Sequence, residues 1–270
     1  MTRTDPRLAV CLDDFGAPPK EALRAASELG FRCVQIGALQ GPISPGQLDE
    51  SGRRHLRRFA EGLGLQIIAL RVDFGGSRFL DASRTDYCID RTRRVLELAR
   101  ELNVPMVSAP LGKFRTADVQ EYELVMSAVR AVADHADLLN CFFAIETAVD
   151  TPDALQQLLR DVSCPHLKVA YDPAELLIGG IDPLAPIETY ADDIALAFAR
   201  DAERGTSAQP GRETNLGAGH LSLPAYLAQL DAAGYRGPLV VRRADTTRPL
   251  ADLAACKEYL ESILTTGATQ

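Results

Sequence analysis

What the chain lacks narrows its function first. No apolar run approaches the roughly 20 residues of a transmembrane helix. The polar opening from Met1 to Pro6 leads straight into a strand-like run, so neither a membrane span nor a signal peptide is expected. Positive charge is in short supply: 29 Lys and Arg stand against 37 Asp and Glu, a net charge of -8. Phosphate backbones are held by clustered Lys and Arg, so nucleic acid is not an expected partner, and the acidic surplus reads as solubility. None of the six cysteines has a partner at C-x-x-C spacing, which excludes a zinc knuckle and a redox motif of that kind. Cys11, Cys33 and Cys141 lie in apolar strand-like runs as small buried hydrophobes, a usage that fits a reducing cytoplasm. No linker and no fixed repeat is visible, so residues 1–270 read as one domain.

What is present is an alternation. Apolar strand-like runs at 8–12, 33–36, 66–70, 105–108, 142–145, 167–171, 194–199 and 239–241 alternate with helical patterns. The helices are expected at 19–29, 46–63, 83–102, 117–139, 151–162, 183–190, 223–233 and 249–264. Eight strands, each followed by a helix, is the count of a closed (β/α)8 TIM barrel. The strands are continuously apolar, as required when both faces are buried. Thr151-Pro152 and Pro18-Pro19 read as helix starts, and Gly30, Gly234 and Asn103 as left-handed helix ends. A doubly wound sheet would carry a glycine-rich phosphate turn after its first strand, and Asp13-Asp14-Phe15-Gly16 is not one.

In such barrels the chemistry sits at the C-terminal ends of the strands. Those positions hold Asp13, Asp14, Gln35, Arg71, Asp73, Lys113, Glu146, Asp172, Phe198, Arg200, Asp201, Arg242 and Arg243. Glu146 and Asp172 each terminate an apolar run, where a carboxylate is otherwise costly, and are read as functional. Asp14, Asp73 and Arg243 are read as solvated or mutually bridging charges. Arg71, Lys113 and Arg200 are expected to make the site locally positive and to bind a substrate carboxylate or phosphate. Of the four histidines, His55 and His135 lie in outer helices and His166 begins strand six. His220 alone falls on a loop at the active end, either as an acid/base or as a solvated side chain.

The stretches Ala144-Ile145-Glu146-Thr147, Val169 to Leu177 (VAYDPAELL) and Gly180-Ile181-Asp182-Pro183 resemble the sugar-phosphate isomerase/epimerase group of xylose-isomerase-like barrels. Ala199-Arg200-Asp201-Ala202 resembles that group's His-x-Lys/Arg-Asp segment with the His replaced. Leu216-Gly217-Ala218-Gly219-His220-Leu221 and Gly234-Tyr235-Arg236-Gly237-Pro238-Leu239 resemble its closing G-x-G and G-Y-x-G segments. The resemblance covers essentially the whole chain and is strongest from Phe142 onward. It implies a divalent metal such as Mn, Mg or Zn, held by a Glu, an Asp, a His and a second Glu, with the two Glu residues as the acid/base pair. Carried onto this chain, those positions are Glu146, Asp172, Phe198 and Arg242. The companion of the Asp falls on Glu175, and a further strand-seven His falls on Leu196.

Phenylalanine cannot ligate a metal and arginine is a fixed cation, so no cofactor is expected. Arg242, or Arg243 if strand eight slips by one residue, is expected to sit between Glu146 and Asp172 and supply the lost positive charge. The catalytic candidates are thus Glu146, Asp172 and Arg242, and the substrate-binding candidates Arg71, Lys113, Arg200 and His220. The resemblance implies a sugar, polyol or related hydroxy-ketone as substrate. The alternative is a metal-free, non-catalytic barrel that binds a sugar-like or anionic small molecule. Endonuclease chemistry, known among related barrels, needs several His ligands for zinc, and the active end offers at most one, His220. The oligomeric state is open, with a homodimer among the options.

A guanidinium opposes a nearby cation by roughly 4 kcal/mol per unit charge at 4 Å with an effective dielectric near 20, and a divalent ion feels more. Calorimetric titration with Mn2+ and Zn2+ should therefore detect no tight binding by the wild type, while Phe198→His combined with Arg242→Glu should restore it. Tight stoichiometric binding by the wild type would refute the ligand assignment.

Overall fold

An apolar run is stable as a strand only when both its faces are covered, and eight runs of this chain meet that condition together. The computed structural model describes residues 5, 7–75, 78–148, 151–206 and 208–267. Its barrel strands are β1 (Leu8–Cys11), β2 (Cys33–Gly37), β3 (Gln66–Arg71), β4 (Met106–Ala109), β5 (Phe142–Glu146), β6 (Leu167–Tyr171), β7 (Ile194–Ala199) and β8 (Leu239–Val241). They are parallel and close in the order β1-β8-β7-β6-β5-β4-β3-β2. Three strands keep the expected bounds, four shift by one residue at one end, and β4 shifts by one residue at both ends.

The helices are α1 (Pro19–Glu28), α2 (Glu50–Gly62), α3 (Thr85–Leu102), α4 (Val119–Leu138), α5 (Pro152–Val162), α6 (Pro173–Ile178), α7 (Pro186–Thr189), α8 (Leu223–Ala232) and α9 (Pro249–Gly267). Their ends follow local chemistry. Helix α2 begins four residues later than its hydrophobic pattern because the Asp49 side chain accepts from the Gly52 N–H at 2.7 Å. Asp118 caps α4 through Glu121 N, and Thr151 caps α5 through Ala154 N. Asn103, at φ 57°, ends α3 in the left-handed conformation. The helix expected over 183–190 shrinks to one turn, because Asp182 accepts from Leu184 N and holds its start in a turn. None of the described helices is long and apolar enough to cross a membrane. All six cysteines are free thiols, and Cys11, Cys33 and Cys141 are buried as expected.

The chain divides into two compact units. One takes in the chain up to Gln35, Leu63–Gln66 and everything from Tyr171 onward; the other is Ile36–Gly62 with Ile67–Ala170. In the first unit β1 pairs with β8 and β8 with β7, in register Ala9↔Val240 and Val240↔Phe198. The fully buried Tyr226 hydroxyl donates to the Phe198 carbonyl at 3.2 Å, and the Tyr171 hydroxyl donates to Pro183 O at 2.7 Å. In the second unit β3, β4, β5 and β6 pair in sequence.

Two features of the first unit escaped the sequence pattern. Helix α6 springs directly from β6, and an antiparallel hairpin pairs Asp201–Glu203 with Arg212–Thr214. The hairpin is tied to α6 by Gly205 N donating to Leu177 O at 2.8 Å. A Cβ on Gly205 would lie 2.2 Å from the Ile178 carbonyl oxygen, so that approach requires glycine. Asp201, 1% exposed, turns back to accept from the backbone N–H groups of Gly217, Gly219 and Leu221 at 3.0, 2.9 and 2.9 Å. One carboxylate thus organises the whole glycine-rich loop. Removing it leaves these three backbone donors, and the Ala202 N–H that also donates to it, without this acceptor, so Asp201→Ala should destabilise the protein by about 3–5 kcal/mol in urea or guanidinium unfolding. A loss below about 1 kcal/mol would mean that water satisfies the loop equally well.

Candidate functional site

The second unit carries one cluster of charges at strand ends. Arg71 ends β3, Ser108 lies in β4 and Glu146 ends β5, and each follows an apolar run that buries it. Glu146 is 2% exposed and forms a two-pronged pair with Arg71, Nε to Oε1 at 2.7 Å and Nη2 to Oε2 at 2.8 Å. Ser108 Oγ donates to the same Oε1 at 3.2 Å. The remaining Arg71 terminus, Nη1, donates to Asp73 at 2.7 Å. Guanidinium and carboxylate match in plane and spacing, so this geometry gives direction as well as charge. Lys113, in the loop after β4, is exposed.

The first unit carries a larger network. Asp172 is fully buried and caps α6 by accepting from Ala174 N and Glu175 N. Its second oxygen accepts from Arg200 Nη1 at 2.5 Å. Arg200 Nη1 also reaches Glu175 at 3.1 Å, and Arg200 Nε reaches Glu213 at 2.7 Å. Glu213 in turn accepts from Arg243 Nη1 and from Asp245 N, at 2.9 and 2.8 Å. Arg243 also holds Asn215. Arg242 pairs with Asp14 at 3.3 Å, and its guanidinium lies 5.7 Å from the centre of the Phe198 ring. The Arg243 N–H donates to Asp14 as well.

Burial alone would pull the Arg200 guanidinium down. The charges of Asp172, Glu213 and Glu175 more than offset this, against the like charge of Arg242, so the group stays protonated. Burial likewise pushes the Glu213 carboxyl up. Arg200 and Arg243, with the Asp245 N–H, outweigh it and hold Glu213 below its ordinary value of 4.5.

Several expectations change. Arg242 was expected to stand between Glu146 and Asp172. Those carboxylates are held by Arg71 and Arg200, and Arg242 pairs with Asp14, which the sequence reading set aside. Asp14, Asp73 and Arg243 do bridge to other charges, as expected of them, but Asp14 is buried rather than solvated. The expected surplus of positive charge is absent from both clusters. Arg71 faces two carboxylates, and Arg200 with Arg243 faces three. His220 is exposed on its loop, and its Nδ1 accepts from Arg204 N at 3.1 Å. His166 pairs with Asp137, His135 with Glu97, and His55 stacks on Phe59.

Glu213 was missed altogether. Its signal was two short polar segments, Asp201-Ala202-Glu203 and Arg212-Glu213-Thr214, flanking Gly205, Pro210 and Gly211, a hairpin pattern too short and too polar to stand out.

The donor set does not fit the divalent metal of related barrels. Phe198 and Arg242 offer no lone pair, Glu146 and Asp172 are both in ion pairs, and no group of three or more His, Cys, Asp or Glu among the described residues is arranged to hold an ion. The exchange of Phe198 and Arg242 that was expected to restore metal binding is therefore insufficient, because it would leave Arg200 on Asp172; Arg200 has to change as well.

A profile of xylose isomerase-like TIM barrels matches residues 23–262. The chain belongs to the xylose isomerase-like TIM barrel family. A 3-dehydroshikimate dehydratase of Pseudomonas putida (strain KT2440) is 26% identical over 268 residues, covering 89% of this chain and 39% of that protein. The chain therefore spans about two fifths of the length of that curated relative. A xylose isomerase domain protein from Planctomyces limnophilus superposes with a TM-score of 0.86 over 100% of both chains at 21% identity. A D-tagatose 3-epimerase-like protein superposes at 0.80, with 16% identity over 96% of this chain and 97% of its own.

Because Glu213 titrates lower in the folded protein than in the unfolded chain, its contribution is complete above the ordinary value of 4.5 and is lost as pH falls below it. Glu213→Gln should cost about 2–4 kcal/mol near neutral pH and should flatten the acid limb of the stability curve. Denaturant titrations from neutral to acid pH check this; parallel curves for the two proteins would contradict it.

Proposed function

We propose that this barrel acts on a sugar-like or polyol hydroxy-ketone without a divalent metal, with Glu146 as its single proton-moving carboxylate. One observation carries the reading: Glu146 keeps its place at the end of β5 in a directed pair with Arg71, while the position of the family's second acid/base Glu holds Arg242, engaged with Asp14. Inversion of a carbon by proton transfer needs an acid/base group on each face. One carboxylate serves only reactions that close on one face. It can take a proton from the carbon next to a carbonyl and deliver it on the same face to the former carbonyl carbon, the hydroxyl proton passing to the former carbonyl oxygen, or hand it to a departing hydroxyl and so eliminate water. The second outcome agrees with a relative named for a dehydratase activity; the first agrees with sugar isomerases. Arg71 is placed beside Glu146 to polarise the carbonyl as negative charge develops on its oxygen.

A second reading has its own observation. Each of the strand-end carboxylates Asp14, Glu146 and Asp172 is engaged by an arginine, which suits a barrel that binds and does not turn over.

Exchange of the carbon-bound proton next to the carbonyl, followed by proton NMR in D2O over a panel of keto-sugars and inososes, separates these. The wild type should exchange a panel member with or without EDTA, and Glu146→Gln should slow that exchange about 100-fold or more. Exchange abolished by EDTA would overturn the metal-free mechanism. Binding with no exchange at all would establish the non-catalytic barrel.

A further inference from the structure

Glu146 holds Arg71 at two atoms, Nε and Nη2, and both contacts come from one side-chain carboxylate. Two contacts of this kind set guanidinium and carboxylate in a common plane. They do not stop the pair from pivoting as a unit about the torsions of two long side chains. Ser108 steadies one Glu146 oxygen at 3.2 Å, longer than the roughly 2.7–2.8 Å usual between two oxygens. A pivot of that kind is stopped by a contact from another part of the chain.

Asp73 supplies such a contact. Its Oδ2 accepts from Arg71 Nη1 at 2.7 Å, a terminus distinct from the two atoms that Glu146 holds. Its other oxygen, Oδ1, accepts from the Gly75 N–H at 2.8 Å and closes a tight turn in which Gly75 takes φ 71°. Between them, Phe74 sets its ring edge-on against Phe79, with 5.4 Å between ring centres, and Phe79 is 1% exposed. The Asp73 carboxylate is thus fastened to the loop after β3, although 41% of its side chain is exposed. An exposed ion pair ordinarily contributes little, because two side chains must first be ordered. Here a backbone N–H and a buried ring have already ordered one of them.

We propose that Asp73 is a positioning residue for the Arg71–Glu146 pair: it fastens the guanidinium to the loop after β3 and so sets the direction from which Glu146 meets the ligand. This deepens the reading of Glu146 as the proton-moving carboxylate and rests on it. Asp73 acts through Arg71. A reacting group displaced by about 1 Å can lose about 100-fold in rate, so a support at one remove from the chemistry still registers in the rate. A strand-end charge that the sequence assigns to solvent or to bridging therefore has a defined task.

The test is the 15N relaxation order parameter of the Arg71 Nε–H bond in the full chain, its signal assigned by its loss in Arg71→Lys. The wild type should give about 0.85, the value of rigid backbone, and Asp73→Asn should fall below about 0.6 while circular dichroism stays native. Asparagine has one acceptor oxygen where aspartate has two, so it serves Arg71 or Gly75 and not both. Asp73→Ala, which removes both acceptors, is the second variant. A wild type below about 0.6, or a folded variant as rigid as the wild type, would overturn the proposal. Loss of the fold in both variants would make Asp73 a support of the structure alone and overturn it too. A second readout is proton exchange on a ligand that the wild type turns over. Asp73→Asn should slow it about tenfold at saturating ligand and leave the half-saturating concentration within about twofold. Undiminished exchange beside a loosened Arg71 would again overturn the role. If the wild type exchanges nothing, the reading of Glu146 falls, and the order parameters still decide whether Asp73 fixes Arg71.

Discussion

A carboxylate at the end of a buried strand must have a counter-charge, and this requirement governs the active end of the barrel strands. Glu146 and Asp172 are 2% and 0% exposed, and an unpaired ion so placed is among the costliest features a fold can carry. The resemblance to metal-bearing barrels implies a divalent ion that would meet the requirement at both positions. Here each carboxylate has its own guanidinium: Arg71 for Glu146 and Arg200 for Asp172. A point ion gathers ligands from any direction, whereas a guanidinium pairs along its edges and commits each carboxylate to one orientation. Replacing an ion by arginines therefore changes the shape of the charge as well as its amount.

The barrel was legible because its signal is local. A run such as Ile194–Ala199, IALAFA, is apolar throughout, and no other residue is needed to interpret it. Helix ends were nearly as accessible wherever Asn103 or Thr151 supplied the chemistry. The Asp201–Glu203 and Arg212–Thr214 hairpin was not, because three-residue polar strands lack the alternation that identifies longer ones. Its stability comes from the backbone of α6 and from the Asp201 clamp, both set by tertiary structure.

The candidate residues were legible as positions but not as pairs. Strand ends fix which residues are candidates, so Arg71, Glu146, Asp172, Arg200 and Arg242 could be named. Partner choice depends on where strands and loops converge, which spacing does not encode. Asp14 was set aside on the argument that its neighbour takes the inward place, yet it lies in a turn of 310 helix after β1, where strand alternation no longer applies. The same lapse of alternation applies to Arg242 and Arg243. Strand β8 ends at Val241, and both arginines are engaged, one with Asp14 and the other with Glu213.

Such a network resists change in a particular way. Removing one member of a buried pair leaves the other uncompensated at a cost of about 3–5 kcal/mol, while replacing both by apolar groups is often neutral. Single substitutions toward a metal site are therefore penalised even where the new side chain is a good ligand. At Arg242, a Glu would face the buried Asp14 with no cation between them. At Asp172, the guanidinium of Arg200 would still occupy the carboxylate that an ion needs. Recovery of an ion site requires Phe198, Arg242 and Arg200 to change together, with Glu213 losing one of its two guanidinium partners in the process. Coupled pairs of this kind oppose an ion site more firmly than the loss of any one ligand would.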